Sequence, residues 1–187
     1  MIRGYSVKQQ AYYLETQFDP GTRDRLLGTL PDDIRRALPQ VKPAEWYPRS
    51  YSVALLRAIA SVNNDEKAVY DDLVRCGKFI ATEATNTFLK LMMKVLTPTL
   101  FAKKIPELWE RDQKGGRFEV DVSQVGQGKI GMKLCDVPGF DHIGIVSIGW
   151  IVFGMEAIGK GNISVKQTGW SLGNPGPANV EYAVTWS

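Results

Sequence analysis

Apolar positions recur along this chain with two different periods, and the change falls near Gly115-Gly116. Ahead of it they return every three or four residues, the spacing that keeps one face of a helix apolar. Val69, Leu73, Cys76, Ile80, Ala84, Phe88, Leu91 and Val95 form the longest such stripe. Asn63-Asn64-Asp65-Glu66 ahead of it has the capping-box pattern, and Gly77 is expected to bend the helix, since glycine weakens a helix interior. Asp19-Pro20 reads as an N-cap followed by proline at the first helical position, with Leu26, Leu27 and Leu30 on one face. Pro31 opens a second short helix, with Ile34 and Leu38 inward. Pro39, Pro43 and Pro48 make a connector that holds Trp46 and Tyr47. Ser50 or Ser52 caps a helix through Leu55, Leu56, Ile59 and Val62. Thr97-Pro98 stops the long helix and starts another, running to about Lys114, with Leu100, Phe101, Ile105, Leu108 and Trp109 inward and a kink or break at Pro106. Residues 1–18 stay open between a short strand near the start and a helical turn or extended arm after it.

Beyond Gly116 the period is two. Phe118, Val120 and Val122 alternate with Arg117, Glu119 and Asp121; Ile130, Met132 and Leu134 answer across the SQVGQG turn. Ile163 and Val165, then Val180, Tyr182, Val184 and Trp186, repeat the pattern around SLGNPGPAN. Between these pairs lies DHIGIVSIGWIVFGMEAIG, residues 141–159, uncharged from Ile143 to Met155. A helix apolar nearly all round is buried or in a membrane. A bilayer needs about 20 apolar residues, so this run predicts a central buried helix, capped by Asp141 and ended by Gly159, with Trp150 inaccessible. The expected fold is α+β, an α/β sandwich in one domain over 1–187. Residues 1–114 are mainly helical, and 115–187 form a hairpin, the buried helix and a second hairpin, giving an antiparallel sheet of about four strands.

Composition narrows the function by exclusion. Formal charge is +3, too mild for the clustered basic face of a nucleic-acid binder. The start, MIRGYSVKQQAYY, lacks a signal peptide's basic head and apolar core, so a cytoplasmic location is expected. Cys76 and Cys135 fall inside a predicted helix and strand and read as buried free thiols.

VKQQAYYLETQF, RLLGTLPDDIRRAL, EWYP with YSVALLRAI, and TPTLFAKKIPELWERDQKGGRFEV follow one another here, and the chain closes on VEYAVTW. In this order they resemble an uncharacterised bacterial domain expanded in myxobacteria. That domain is similar to the 4-vinyl-reductase and haem-NO-binding-associated domains, and more distantly to small subunits of the TRAPP vesicle-tethering complex. The resemblance implies N-terminal helices over an antiparallel sheet and a ligand-binding or dimerising module without catalysis of its own. The turn that carries cysteines in 4-vinyl-reductase relatives reads Gly173 to Ala178 here, without one, so no thiolate metal site carries over.

The candidate chemistry is sparse. His142 is the single histidine, beside Asp141 at the helix start, and reads as a terminal or capping residue; haem needs only one axial ligand, so counting leaves it open. A zinc site needs three or four ligands, and no metal site is expected. No GxSxG elbow is present. The glycines of 126–128 and 173–176 match turns rather than phosphate loops. Glu107/Glu110 and Asp71/Asp72 read as solvated helix faces. Trp46, Phe79, Phe88, Trp109, Trp150 and Phe153 all belong to inward segments: they are either core or the wall of an apolar ligand pocket between the long and central helices. The expected function is a non-enzymatic dimerisation or protein-interaction module of a bacterial regulatory system, a homodimer or bound to a protein partner. It is expected to have no cofactor, no nucleic acid and no membrane span. The alternative is a sensor that binds a small hydrophobic, lipid-like ligand or haem.

Overall fold

Among the described residues, the apolar stripes become seven helices that pack against one another and against a sheet. The computed structural model describes residues 1–85, 93–137, 142–168 and 179–187. Among these, α1 spans Gly4–Thr16, α2 Pro20–Gly28, α3 Asp32–Ala37, α4 Ser50–Ala60, α5 Glu66–Ala84, α6 Pro98–Asp112 and α7 Ile143–Ala157. Two predicted caps form as read. The Asp19 carboxylate accepts from the Gly21 and Thr22 amides, and Thr97 accepts from Leu100. The α5 cap is Asp65, which accepts from Ala68, rather than an asparagine two residues earlier.

Residues 1–18 resolve into a strand and a helix. Ile2–Arg3 (β1) pairs antiparallel with Trp46–Tyr47 (β2), and α1 follows at once. This small sheet was not expected, because two-residue strands carry no alternation to read. The main sheet has Arg117–Asp121 (β3), Lys129–Cys135 (β4), Ser164–Gln167 (β5) and Val180–Thr185 (β6), in the order β3-β4-β6-β5, all antiparallel. Its inward row is the one the alternation predicts: Phe118, Ile130, Met132, Leu134, Val180, Tyr182 and Val184 are buried. The α+β arrangement of helices over an antiparallel sheet therefore stands.

Two expectations about helices change. The stripe on α5 ends at Ala84, where Thr85 turns extended and its hydroxyl donates to the Ala81 carbonyl. Val95, placed on that stripe, is 73% exposed, and Phe88 and Leu91 lie outside the described residues. Gly77 lies inside α5 in close backbone contact with α7, as described below. Pro106 lies inside α6 without ending it; buried Phe101, Ile105 and Trp109 on one face hold both halves of the helix against their neighbours.

The central helix is as apolar as read, and it packs mainly on α5. Its residue before the first turn is His142, while Asp141 lies outside the described residues. Its C-terminus closes as a Schellman motif: Gly159 is left-handed at φ +82, its amide donates to Glu156, and the Lys160 amide donates to Met155. Trp150 and Val152 are only half-buried, against the expectation of a fully enclosed helix. Trp150 is left partly open because it borders a cavity. No helix among the described residues is long and apolar enough to cross a membrane.

Candidate functional site: a cavity between helices

Helices α1, α5, α6 and α7 and strand β3 do not fill the space they enclose. They leave a cavity of about 390 Å³, within the size range of small-molecule sites. Helix α7 supplies Ile143, Val146, Ser147 and Trp150 at spacings of three and four, with Phe153 and Gly154 one turn further. Helix α6 brings Phe101, Ile105 and Trp109; α5 brings Ile80 and Ala84; Phe118 closes the sheet side. The Trp109 and Phe118 rings meet edge to face, 5.3 Å between centroids.

Two glycines set how closely α5 and α7 approach along one side of this space. A Cβ on Gly77 would lie 2.0 Å from the Val146 carbonyl oxygen, and one on Gly149 would lie 2.1 Å from the Val74 carbonyl oxygen. The backbones touch where side chains would hold them apart. On the other side, a Cβ at Gly154 would meet the Phe101 ring at 2.0 Å.

The wall is largely apolar, and most of its polar atoms are already bonded. The Ser147 hydroxyl donates to Ile143 and that of Thr85 to Ala81, each within its own helix. Lys104 pairs with Glu107 at 2.6 Å and Arg111 with Asp112 at 2.7 Å along the α6 rim. Two atoms of lining residues differ. The carbonyl oxygens Oε1 of Gln10 and Gln113 are buried without a hydrogen-bond partner, on residues only 2% and 7% exposed. Gln10 lies one helical turn beyond Ser6, another wall residue, on α1. Gln113 follows α6, and its backbone bridges to Ile2 just ahead of α1.

The predicted pocket residues divide. Trp109, Trp150 and Phe153 line the cavity. Phe79 does not; it packs between Tyr12 and Tyr13, beside a separate surface cleft with Arg75 and Lys78. Trp46 lies in β2, with the Arg3 guanidinium 4.2 Å and the Lys114 ammonium 4.5 Å from its ring. Phe88 lies outside the described residues. Glu107 is on the exposed rim as expected. Asp72 is not on a solvated face: it is buried, with Asn63 donating to it at 2.9 Å and Arg75 bonded beside it. His142 is half-buried at the start of α7, next to the wall residue Ile143 but not in the wall itself. Both cysteines are buried and unlinked. Among the described residues, no cluster of three or more His, Cys, Asp or Glu is arranged to hold a metal ion.

Ser6, Gln10 and Gln113 were missed in the sequence. Gln10 had a signal: it shares a face with Val7 and Leu14, a polar residue on an apolar stripe. That stripe is readable only once residues 4–16 are known to be helical.

No protein-family model matches this chain, and no curated protein matches it. Solved structures do. The Fe(II) unliganded H-NOX protein from K. algicida superposes with a TM-score of 0.74 at 11% identity, covering 100% of this chain and 97% of that one. The S. oneidensis H-NOX protein in its Fe(II)NO ligation state gives 0.69 at 12% identity, covering 100% and 99%. A T. tengcongensis H-NOX mutant gives 0.66 at 12% identity, covering 100% and 98%. A further match at 0.63 concerns the modulation of haem redox potential through porphyrin distortion. The fold is that of the H-NOX domains, along the whole chain. Of the families that the sequence resembles, the haem-NO-binding one is supported at the level of fold, and the 4-vinyl-reductase and TRAPP likenesses are not. The expectation of a domain without a cofactor is corrected here: in the proteins that share this fold, the fold accompanies haem.

Proposed function

We propose that this domain is a sensor, binding a small molecule in the cavity between α5, α6 and α7 and working by binding rather than catalysis. The observation that carries the reading is the cavity itself: an aromatic-lined space of about 390 Å³ inside a fold shared with ligand-binding H-NOX domains. The sequence favoured an interaction module first and a sensor second. The structural likeness reverses that order.

Haem is the ligand that the likeness brings forward. The wall agrees with it in part. Trp109, Phe101, Trp150 and Phe118 offer an apolar, aromatic surface to a planar group. The iron is less well provided for: no described wall residue is His, Cys or Tyr, and Met93 carries the only sulfur. Methionine serves as an axial ligand beside histidine in cytochromes, so Met93 alone does not make an iron site, and the described wall does not by itself fit the metal. His142 would need to move from the helix start into the wall.

Absorbance of the purified protein, as isolated and after titration with haemin, tests this reading. A Soret band at one equivalent, changed in position by Met93→Ala, supports haem in the cavity. A band lost only in His142→Ala places the iron outside the wall described above. A protein that neither retains nor takes up haem leaves the cavity to a ligand without iron.

A further inference from the structure

We infer that Arg3 and Lys114, gathered on the ring of Trp46, form a docking point for an acidic, extended segment of a partner protein. The site is separate from the cavity and does not depend on what the cavity holds.

Two like charges on one aromatic side chain are the primary observation. The Arg3 guanidinium lies 4.2 Å and the Lys114 ammonium 4.5 Å from the centre of the Trp46 ring. They therefore stand no further apart than about 10 Å, one Debye length at 0.1 M salt, so their repulsion is screened only in part. Arg49 adds a third positive charge: its Nη2 donates to the Lys114 and Gly115 carbonyls, at 3.1 Å each. The nearby carboxylates are engaged elsewhere. Glu45 accepts from Lys42 and from the Tyr47 hydroxyl, and Asp112 accepts twice from Arg111. Among the described residues, no carboxylate pairs with Arg3 or Lys114. The ring attracts each cation, but it has no charge with which to neutralise them. An anion brought from outside does.

The donors that remain narrow the kind of anion. Arg3 Nε donates to the Arg111 carbonyl at 3.3 Å and Nη1 to the Ala44 carbonyl at 2.7 Å. A phosphate, which is gripped best by a free two-pronged fork, finds two of the three guanidinium nitrogens already in use. The site offers point charges beside a half-buried tryptophan. Tryptophan and arginine are enriched among the residues that dominate protein interfaces, and such charges steer and orient an oppositely charged partner. Trp46 also belongs to β2, which among the described residues pairs on one side only, with β1. An extended chain has that strand edge to lie along. Three grouped cations in a chain of formal charge +3 make too small a footprint for a nucleic-acid duplex.

Fluorescence anisotropy of labelled hexaglutamate and identically labelled hexaglutamine tests this docking point on the full chain. The acidic peptide is expected to bind at least about tenfold more tightly than the neutral one, and to weaken as salt rises from about 0.05 M to about 0.5 M. Lys114→Gln is expected to weaken it about two- to fivefold, and Arg3→Gln/Lys114→Gln about tenfold. Lys166→Gln removes an exposed cation from β5, at the opposite edge of the main sheet from β3, and is expected to leave the affinity unchanged. Where the double variant does not fold, Lys114→Gln decides alone, because that ammonium makes no hydrogen bond among the described residues. Equal binding of the two peptides, an affinity unchanged in Lys114→Gln, or tighter binding to phosphatidylserine vesicles or a DNA duplex than to hexaglutamate each overturns the proposal. None of these outcomes bears on the cavity.

Discussion

Gly77 and Gly149 face each other across the α5–α7 contact: a Cβ built on Gly77 would stand 3.2 Å from the Gly149 Cα. The same Cβ would lie 2.0 Å from the Val146 carbonyl oxygen. Neither neighbour is the tip of a flexible side chain, so a methyl group there can be placed only by moving a helix. Overpacking of this kind costs about 1–3 kcal/mol. Helix propensity pulls the other way by up to about 1 kcal/mol.

Gly77→Ala and Gly149→Ala are therefore expected to destabilise the fold by about 1–3 kcal/mol in urea denaturation. Gly28→Ala, with nothing within 4 Å of its Cβ, is expected to be neutral or mildly stabilising, by up to about 1 kcal/mol. Equal, small effects at all three would contradict the close helix approach.

These glycines show how far the sequence could be read. Gly144, Gly149 and Gly154 stand out in an otherwise uncharged run, and close packing is one reading of them. Their partners are not legible, because Val180 and Tyr182 beside Gly144, Val74 beside Gly149 and Phe101 beside Gly154 come from segments far away in the chain. The alternating strands are legible since each has one wet face, and their inward rows came out as the pattern predicts. The sheet order β3-β4-β6-β5 is not written in any local pattern. Half of the site followed the same divide. Trp109, Trp150 and Phe153 are large and inward in any reading. Gln10 and Gln113 become visible only when the fold puts polar residues on an enclosed wall.

Charge placement along the central helix gives a graded prediction. Ile148 is 3% exposed, whereas Val152 is half-buried. Ile148→Asp would bury a carboxylate without a partner, at a cost of several kcal/mol against a total stability of about 5–15 kcal/mol. It is expected to abolish folding by circular dichroism. Val152→Asp is expected to fold with reduced stability, and Lys129→Asp, on an exposed position of β4, to change stability by about 0.5 kcal/mol or less.

Tyr182 ties the sheet to the central helix. Its buried hydroxyl donates to the Gly144 carbonyl at 2.9 Å. Tyr182→Phe removes that bond and is expected to cost about 0.5–1.5 kcal/mol. A variant as stable as the wild type would show the bond to be dispensable.

Alkaline pH should loosen the fold, with the sign set by burial. Desolvation raises the pKa of the Cys76 thiol and of the Tyr182 and Tyr13 phenols above their ordinary values. Each holds its proton more tightly folded than unfolded. Their contribution to stability is complete below the unfolded values, about 8.5 for the thiol and about 10 for the phenols. It is lost progressively as pH rises beyond them. Urea midpoints are expected to hold from pH 7 to 8 and to fall from about pH 9 upward. Cys76→Ala should remove the earlier part of that fall.

The central claim is that the cavity holds a molecule, and native mass spectrometry of protein purified directly from cells tests it most simply. The wild type is expected to carry a bound small molecule, of one defined mass, that dissociates on denaturation. Ala84→Trp, which places a bulky ring in the cavity wall without disturbing the buried contact between α5 and α7, is expected to fold and to lose that mass. A wild type found only at its bare chain mass, with no small molecule in the denatured extract and none taken up from added haemin, would contradict the account.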